Sequence, residues 1–313
     1  MMPTEYHEIP VNWEDIKNYV LCEDSDFVDA IIEADKVFLY DTCSFRFHSN
    51  MAATSMKGLI RFFKKEKSII IITRCILMEL ASFSGTLHDS YVEYFKTLYD
   101  NDVTTFIIYE ESLFNVMAQC FSGKNTIYGY LTWAVRMVRR PVSTVTNTLL
   151  GDKKLYEEII GGKYRESSNA YRNFFYKVRC SKAHGDNLGE EILAICSHLL
   201  SHIPGTPDGK YCVITDDKGG AGIIATLFKK TNEQFAGARI IIYSTPRLVQ
   251  AMYNLNVITE KAEIAGGLSC LGGACITIAG MTECDFGINY NISLSIEELI
   301  SMIITPGKLS IVF

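Results

Sequence analysis

Two short apolar runs, rich in β-branched and aromatic residues, stop abruptly at aspartate. One is KVFLYD, ending at Asp41, and the other is YCVITDD, ending at Asp216 and Asp217. Runs of this kind read as buried strands. In an open parallel sheet the carboxyl ends of the strands are where ligands bind, so a strand ending in an acid delivers that acid to the ligand edge. Two more stretches carry acids in a similar setting: SIIIITRCILMEL with Glu79, and GDNLGEEILAI with Glu190 and Glu191. Several carboxylates in one cleft repel each other unless a cation neutralises them. Hard divalent cations take oxygen ligands. The pattern therefore predicts a metal-dependent phosphodiesterase site using Mg²⁺ or Mn²⁺.

The same alternation continues along the chain. Strands are expected at 36–41, 68–73, 104–109, 211–215 and 239–243. Helices fall between them, near 50–65, after 73 with Glu79, near 89–99, near 112–121, from 188 to 202, from 219 to 230 and from Pro246. Strands alternating with helices imply an α/β fold, a Rossmann-like parallel sheet with helices on both faces.

Order and context of the acids resemble the PIN-domain nucleases. That family has a first strand ending in D-[ST], a Glu shortly after the second strand, an acid opening a helix, and a T-x-D or T-D-D after a later strand. Here these are Asp41-Thr42, Glu79, Glu190-Glu191-Ile192-Leu193-Ala194 and Thr215-Asp216-Asp217. The resemblance covers residues 36–122 and 186–255. It implies an endoribonuclease with Asp41, Glu79, Glu190 and Asp216 as catalytic residues. Glu191 and Asp217 are further metal ligands, and the products carry a 5′-phosphate and a 3′-hydroxyl. Two features depart from the family pattern. The third acid is Glu where Asp is usual, with Asp186, Glu190 and Glu191 all open for the role, and about 60 residues are inserted between the second and third acids. Thr42 and Thr215 add hydroxyls able to orient a carboxylate, a water or the substrate. A catalytically silent PIN-like scaffold that binds RNA or protein is the alternative. A haloacid-dehalogenase phosphatase would need D-x-D-x-T, whereas Asp41 is followed by Thr42-Cys43-Ser44-Phe45.

Charge divides the chain into segments. Residues 1–35 are acidic, with ten Asp or Glu against Lys17, and Ser25 can cap a short helix presenting Phe27, Ile31 and Ile32. The nuclease-like unit is read as 36–255. Its insert, 121–185, holds twelve Lys or Arg against four Asp or Glu, a balance of +8 that leaves −14 for the rest of a chain whose total is −6. Aromatic residues interleave with these bases and the periodicity is helical, which suits a polyanion whose bases can stack. Arg136, Arg139, Arg140, Lys177 and Arg179 are the candidate substrate contacts, and RNA is the expected partner. A homo-oligomer or an inhibitory protein partner also fits.

Residues 256–313 read as a small α+β appendage: a strand in ACITI, the helix IEELISMII opened by Ser295, and a last strand after Pro306-Gly307. Ile264–Thr282 carries no charge over 19 residues, but five glycines argue for turns and a buried strand rather than a membrane span. The ten cysteines show no zinc spacing; Cys180 and His184 have no second pair nearby. A polar N-terminus without a secretory leader and unpaired, buried thiols fit a cytoplasmic protein.

Overall fold

A computed structural model describes residues 6–138, 143–162, 169–234 and 237–313. Five parallel strands form the central sheet: β1 (Lys36–Tyr40), β2 (Ser68–Thr73), β3 (Thr105–Ile108), β4 (Tyr211–Ile214) and β5 (Ile241–Tyr243). Their order is β3-β2-β1-β4-β5. Leu39 is in register with Ile71 on one side and with Val213 on the other. The chain moves outward through β2 and β3, then returns to the far side of β1 for β4. The order therefore reverses between β1 and β4, and a crevice opens where the two carboxyl ends diverge. Asp41 follows β1 and Thr215 to Asp217 follow β4, so the sequence motif and the switch point coincide. The expected Rossmann-like sheet with flanking helices is the observed one.

The middle strands read as continuous apolar runs because both sheet faces are covered. Val37 to Tyr40 and Ile70 to Ile72 are fully buried. Leu21 runs alongside β3, exchanging hydrogen bonds with Thr105 and Ile107, which occupies part of an edge that would otherwise be open. The acidic helix near the N-terminus is Asp24–Glu33, two residues earlier than a Ser25 cap allows. It buries Phe27, Val28 and Ile31 but leaves Ile32 exposed.

One helix, Leu188–Ser201, is apolar nearly all round and buried at every position except Glu190, as such a pattern requires. Ile192, Leu193, Ile195, Leu199 and Leu200 are each at most 1% exposed. Each such side chain contributes about 1.5–3 kcal/mol relative to exposure. It packs against Lys218–Gln234, Arg74–Ala81, Leu113–Cys120 and two helices of the basic segment, Lys124–Met137 and Thr144–Gly151; the other helices of that segment are Lys153–Ile159 and Asn169–Cys180. Tyr128, Tyr171, Phe174 and Phe175 are buried in the common core. These aromatics therefore pack the protein and are not platforms for nucleobases. Tyr176 is exposed, and Tyr164 lies outside the described residues.

A second sheet, antiparallel and ordered β7-β6-β8, is made by β6 (Cys275–Thr282), β7 (Asn289–Ser295) and β8 (Leu309–Ile311). The expected strands in ACITI and KLSIVF are present, and Ser295 with Glu298 forms a capping box for Ile296–Ile304. Neither β7 nor the helix Lys261–Ser269 is among the elements expected from the sequence. In that helix Gly266-Gly267 is not a turn. A Cβ at Gly267 would stand 2.9 Å from Val249, so glycine permits the close approach of the neighbouring helix. Ile264–Thr282 is thus part helix and part strand. Among the described residues no helix is long and apolar enough to cross a membrane. All ten cysteines are free, yet Cys22, Cys180, Cys275 and Cys284 are exposed rather than buried.

Candidate active site

Asp41 leaves β1 as its last extended residue, and its carboxylate caps the helix Thr42–His48 through the Thr42 N–H at 2.7 Å. Its other oxygen accepts from the Thr215 hydroxyl at 2.7 Å and the Cys43 thiol at 2.8 Å. Burial pushes the Asp41 carboxyl above its ordinary range. The bonds from Cys43 and Thr215 oppose that rise, and the charge of Glu79 adds to it. Glu79 comes from the helix Arg74–Ala81 and accepts from the Thr42 hydroxyl at 2.5 Å. Both threonines therefore position carboxylates. Thr215, 1% exposed, has no face for substrate.

Glu190 enters from the first turn of Leu188–Ser201. Its Oε2 is buried without a hydrogen-bond partner. Burial, reinforced by the charges of Glu79, Asp41 and Asp217, pushes its carboxyl up to about 8. Two glycines make room for this crowding. A Cβ at Gly189 would lie 2.7 Å from Glu79 Oε1, and one at Gly220 would lie 2.7 Å from Glu190 Cγ.

Asp216 and Asp217 divide their roles. Asp216 turns inward and accepts from the Thr245 N–H at 2.7 Å, the Thr245 hydroxyl at 2.6 Å and the Ser44 hydroxyl at 2.6 Å. Since the Thr245 hydroxyl donates to Asp216, it accepts from His48 Nε2 at 2.9 Å. His48 Nδ1 then accepts from Tyr40, 2.7 Å away, and Tyr40 accepts from Tyr94 at 2.9 Å. Burial drives the His48 imidazole down to about 4, which keeps it neutral and gives it the single N–H this chain requires. Asp216 is thereby a half-buried anchor. Asp217 faces the crevice and caps the next helix through the Gly219 N–H at 2.7 Å.

Asp41, Glu79, Glu190 and Asp217 line one cavity of about 340 Å³ at the switch point. Asp216 does not line it. Neither does Glu191, which is fully buried and accepts from the Val145 N–H at 3.0 Å, tying the helix Thr144–Gly151 to the core. Asp186 lines the cavity too, but the helix starts at Leu188, so Asp186 and Glu190 do not share a helix face.

The expected substrate-binding bases fall elsewhere. Arg179 is 1% exposed and clamped by Glu8, Glu110 and Glu111, at 2.8, 2.5 and 2.6 Å. Lys177 is paired with Asp152. Arg136 is exposed on its helix, donates to the Ile160 carbonyl at 3.1 Å and borders a different cavity. Arg139 and Arg140 lie outside the described residues. The cationic groups that do border the acidic cavity are Arg46 and Lys182. Lys182 reaches Glu79 at 2.7 Å and also pairs with Asp186. Its four-residue spacing from Asp186 was the only signal the sequence offered, and one such pair in a basic segment is not distinctive.

As the side chains stand, no three Asp, Glu, His or Cys groups among the described residues are placed to hold a metal ion. The carboxylates share a cavity without closing on a common point. One reason is visible: Lys182 draws Glu79 toward Asp186.

No protein-family model, curated protein or solved structure matches this chain.

Proposed function

We propose that this chain is a divalent-metal-dependent endoribonuclease of PIN type. The observation that carries the proposal is the arrival of four carboxylates in one cavity at the switch point. They come from four separate elements: Asp41 after β1, Glu79 from the helix Arg74–Ala81, Glu190 from the buried helix and Asp217 after β4. The donor set fits Mg²⁺ or Mn²⁺. Every group is a hard oxygen, and Glu190 Oε2 is an orphaned acceptor. Asp41, Glu190 and Asp217 would hold the ion, with Glu79 beside them. A bound divalent ion lowers the pKa of water and offsets charge on phosphoryl oxygens.

The protein's own groups do the rest. Thr215 and Cys43 fix the rotamer of Asp41, and Thr42 fixes Glu79. The Asp216–Thr245–His48–Tyr40–Tyr94 chain, buried beyond its half-buried aspartate, holds the end of β4, so that Asp217 is presented outward. Arg46, bonded to the Glu79 carbonyl at 3.0 Å, puts a positive charge at the rim. RNA as substrate rests on the family resemblance and on the basic segment 121–185. There Lys124, Arg136, Lys153, Lys154 and Arg172 remain exposed for phosphates. A cytoplasmic location belongs to the same proposal.

The silent scaffold is the second reading, and one observation favours it: Lys182 already neutralises part of the acidic cluster. Incubating the protein with mixed RNA and DNA, in Mg²⁺, Mn²⁺ or chelator, separates the two. The nuclease reading expects metal-dependent RNA cleavage that Asp41→Asn abolishes. RNA bound but left intact in every metal would end it in favour of the scaffold.

A further inference from the structure

Lys182 is an unusual group to find inside a cluster of acids. Its side chain is only 4% exposed, and its ammonium sits between Glu79 Oε1, at 2.7 Å, and Asp186. The Tyr6 ring covers it, with the ammonium 5.6 Å from the ring centroid. Its placement is not left to a flexible stem. Arg179, three residues earlier, is locked by Glu8, Glu110 and Glu111. The segment carrying Tyr6 and Glu8 is held on its far side as well. The Val11 N–H bonds the Gly85 carbonyl at 2.8 Å, and Asn12 exchanges hydrogen bonds with Leu87 at 3.1 and 2.9 Å. A lysine left to solvent would not need three carboxylates to fix its neighbour and an aromatic ring beside its ammonium.

We propose that the Lys182 ammonium takes the place of a second divalent cation, so that this site loads one metal ion and Lys182 is the second positive contact of the scissile phosphate. The inference rests on the nuclease reading above. In-line phosphodiester displacement is often served by two ions about 3.5–4 Å apart that bracket the attacking and leaving oxygens. Here Glu79 and Asp186 are committed to the ammonium. Asp41, Glu190 and Asp217 are left, enough for one ion that keeps several waters. A lysine is a compact point charge able to follow a phosphate oxygen. It can donate to that oxygen without leaving the cavity.

The test is a count of bound Mn²⁺ by titration calorimetry, with cleavage of an RNA oligonucleotide measured in parallel. Wild type should bind one ion. Lys182→Met should bind two, the new one using Glu79 and Asp186. Its kcat should fall about 100-fold at low Mn²⁺ and recover as the second ion loads, while KM changes little. Because Lys182→Met leaves two carboxylates unpaired, Lys182→Met/Glu79→Gln serves as a second variant. It restores the charge balance and should bind one ion without recovery of kcat at high Mn²⁺. Two ions in wild type, or one ion with unchanged affinity in Lys182→Met, overturns the proposal about Lys182 and leaves the metal site standing, provided that Asp41→Asn abolishes binding. No Mn²⁺ bound by wild type or by Lys182→Met overturns both readings.

Discussion

Gly220 lies against Glu190 so closely that a Cβ at position 220 would stand 2.7 Å from the Glu190 Cγ. No unusual backbone explains a glycine there; the glutamate does. Gly222, two residues further along the same helix, has open space at its Cβ position. Gly222→Ala should therefore stabilise the fold by about 0.5–1 kcal/mol, the ordinary gain of alanine over glycine in a helix. Gly220→Ala should gain less and should swing Glu190 out of the cavity, weakening Mn²⁺ binding about tenfold or more (about 1.4 kcal/mol). Thermal melts with and without Mn²⁺ measure both. Equal behaviour of the two variants would remove the argument for Gly220.

Asp216 and Asp217 should separate stability from activity. In Asp216→Asn the new amide group meets donors from Thr245 and Ser44, and a buried network of this kind costs about 1–3 kcal/mol when one acceptor is spoiled. Asp217→Asn keeps the helix cap, since Asn serves there as well as Asp. Its urea midpoint should match wild type, while RNA cleavage should fall by at least about 100-fold through loss of a metal ligand. Full activity in Asp217→Asn would exclude that residue from the site.

How much of this was legible depends on the distance over which each residue's role is decided. The parallel sheet, the placement of Asp41, Glu79 and Glu190, and the Ser295 cap follow from local pattern: an apolar run, its terminator and its neighbours. The choice between Asp216 and Asp217 does not, because it is made by Ser44 and Thr245, 172 and 29 residues away. The same holds for the bases of the 121–185 segment. Arg179 and Lys182 are two of twelve alike in sequence, yet Glu8, Glu110 and Glu79, all from earlier elements, draw them inside. The helix Lys261–Ser269 was hidden by its glycine pair, whose job is close packing rather than turning.

Arg179 offers the sharpest contrast with the expectation that it grips RNA. It holds three carboxylates together, one of them, Glu110, with no exposure, and Glu110 also accepts from the Cys75 N–H at 2.8 Å. Arg179→Met leaves Glu110 buried and uncompensated, and removing one member of a buried ion cluster costs about 3–5 kcal/mol. The urea midpoint should drop accordingly. Arg172→Met, on the exposed side of the same helix, should stay within about 0.5 kcal/mol of wild type. A small effect of Arg179→Met on stability, together with a large one on RNA affinity, would return Arg179 to the substrate path.

Glu190 makes the fold sensitive to pH in a direction opposite to most carboxylates. Its folded pKa, about 8, is above the ordinary value of 4.5, so between these limits the folded state holds a proton that the unfolded state has lost. The stabilising contribution of the protonated side chain is fully present below about pH 4.5, and is lost as pH rises through about 8. In metal-free buffer, wild type should therefore lose stability from pH 5 to pH 9, and Glu190→Gln should flatten that decline, gaining most over wild type at pH 9 and least at pH 5. Adding Mn²⁺ should reverse the trend for wild type, because the ion binds the deprotonated carboxylate and its affinity grows as the proton leaves. Urea titrations of both proteins at pH 5, 7 and 9, with chelator and with Mn²⁺, give the comparison. Parallel pH profiles for wild type and Glu190→Gln in chelator would mean that Glu190 titrates as an ordinary exposed acid, and that its orphaned oxygen is not held in the cavity.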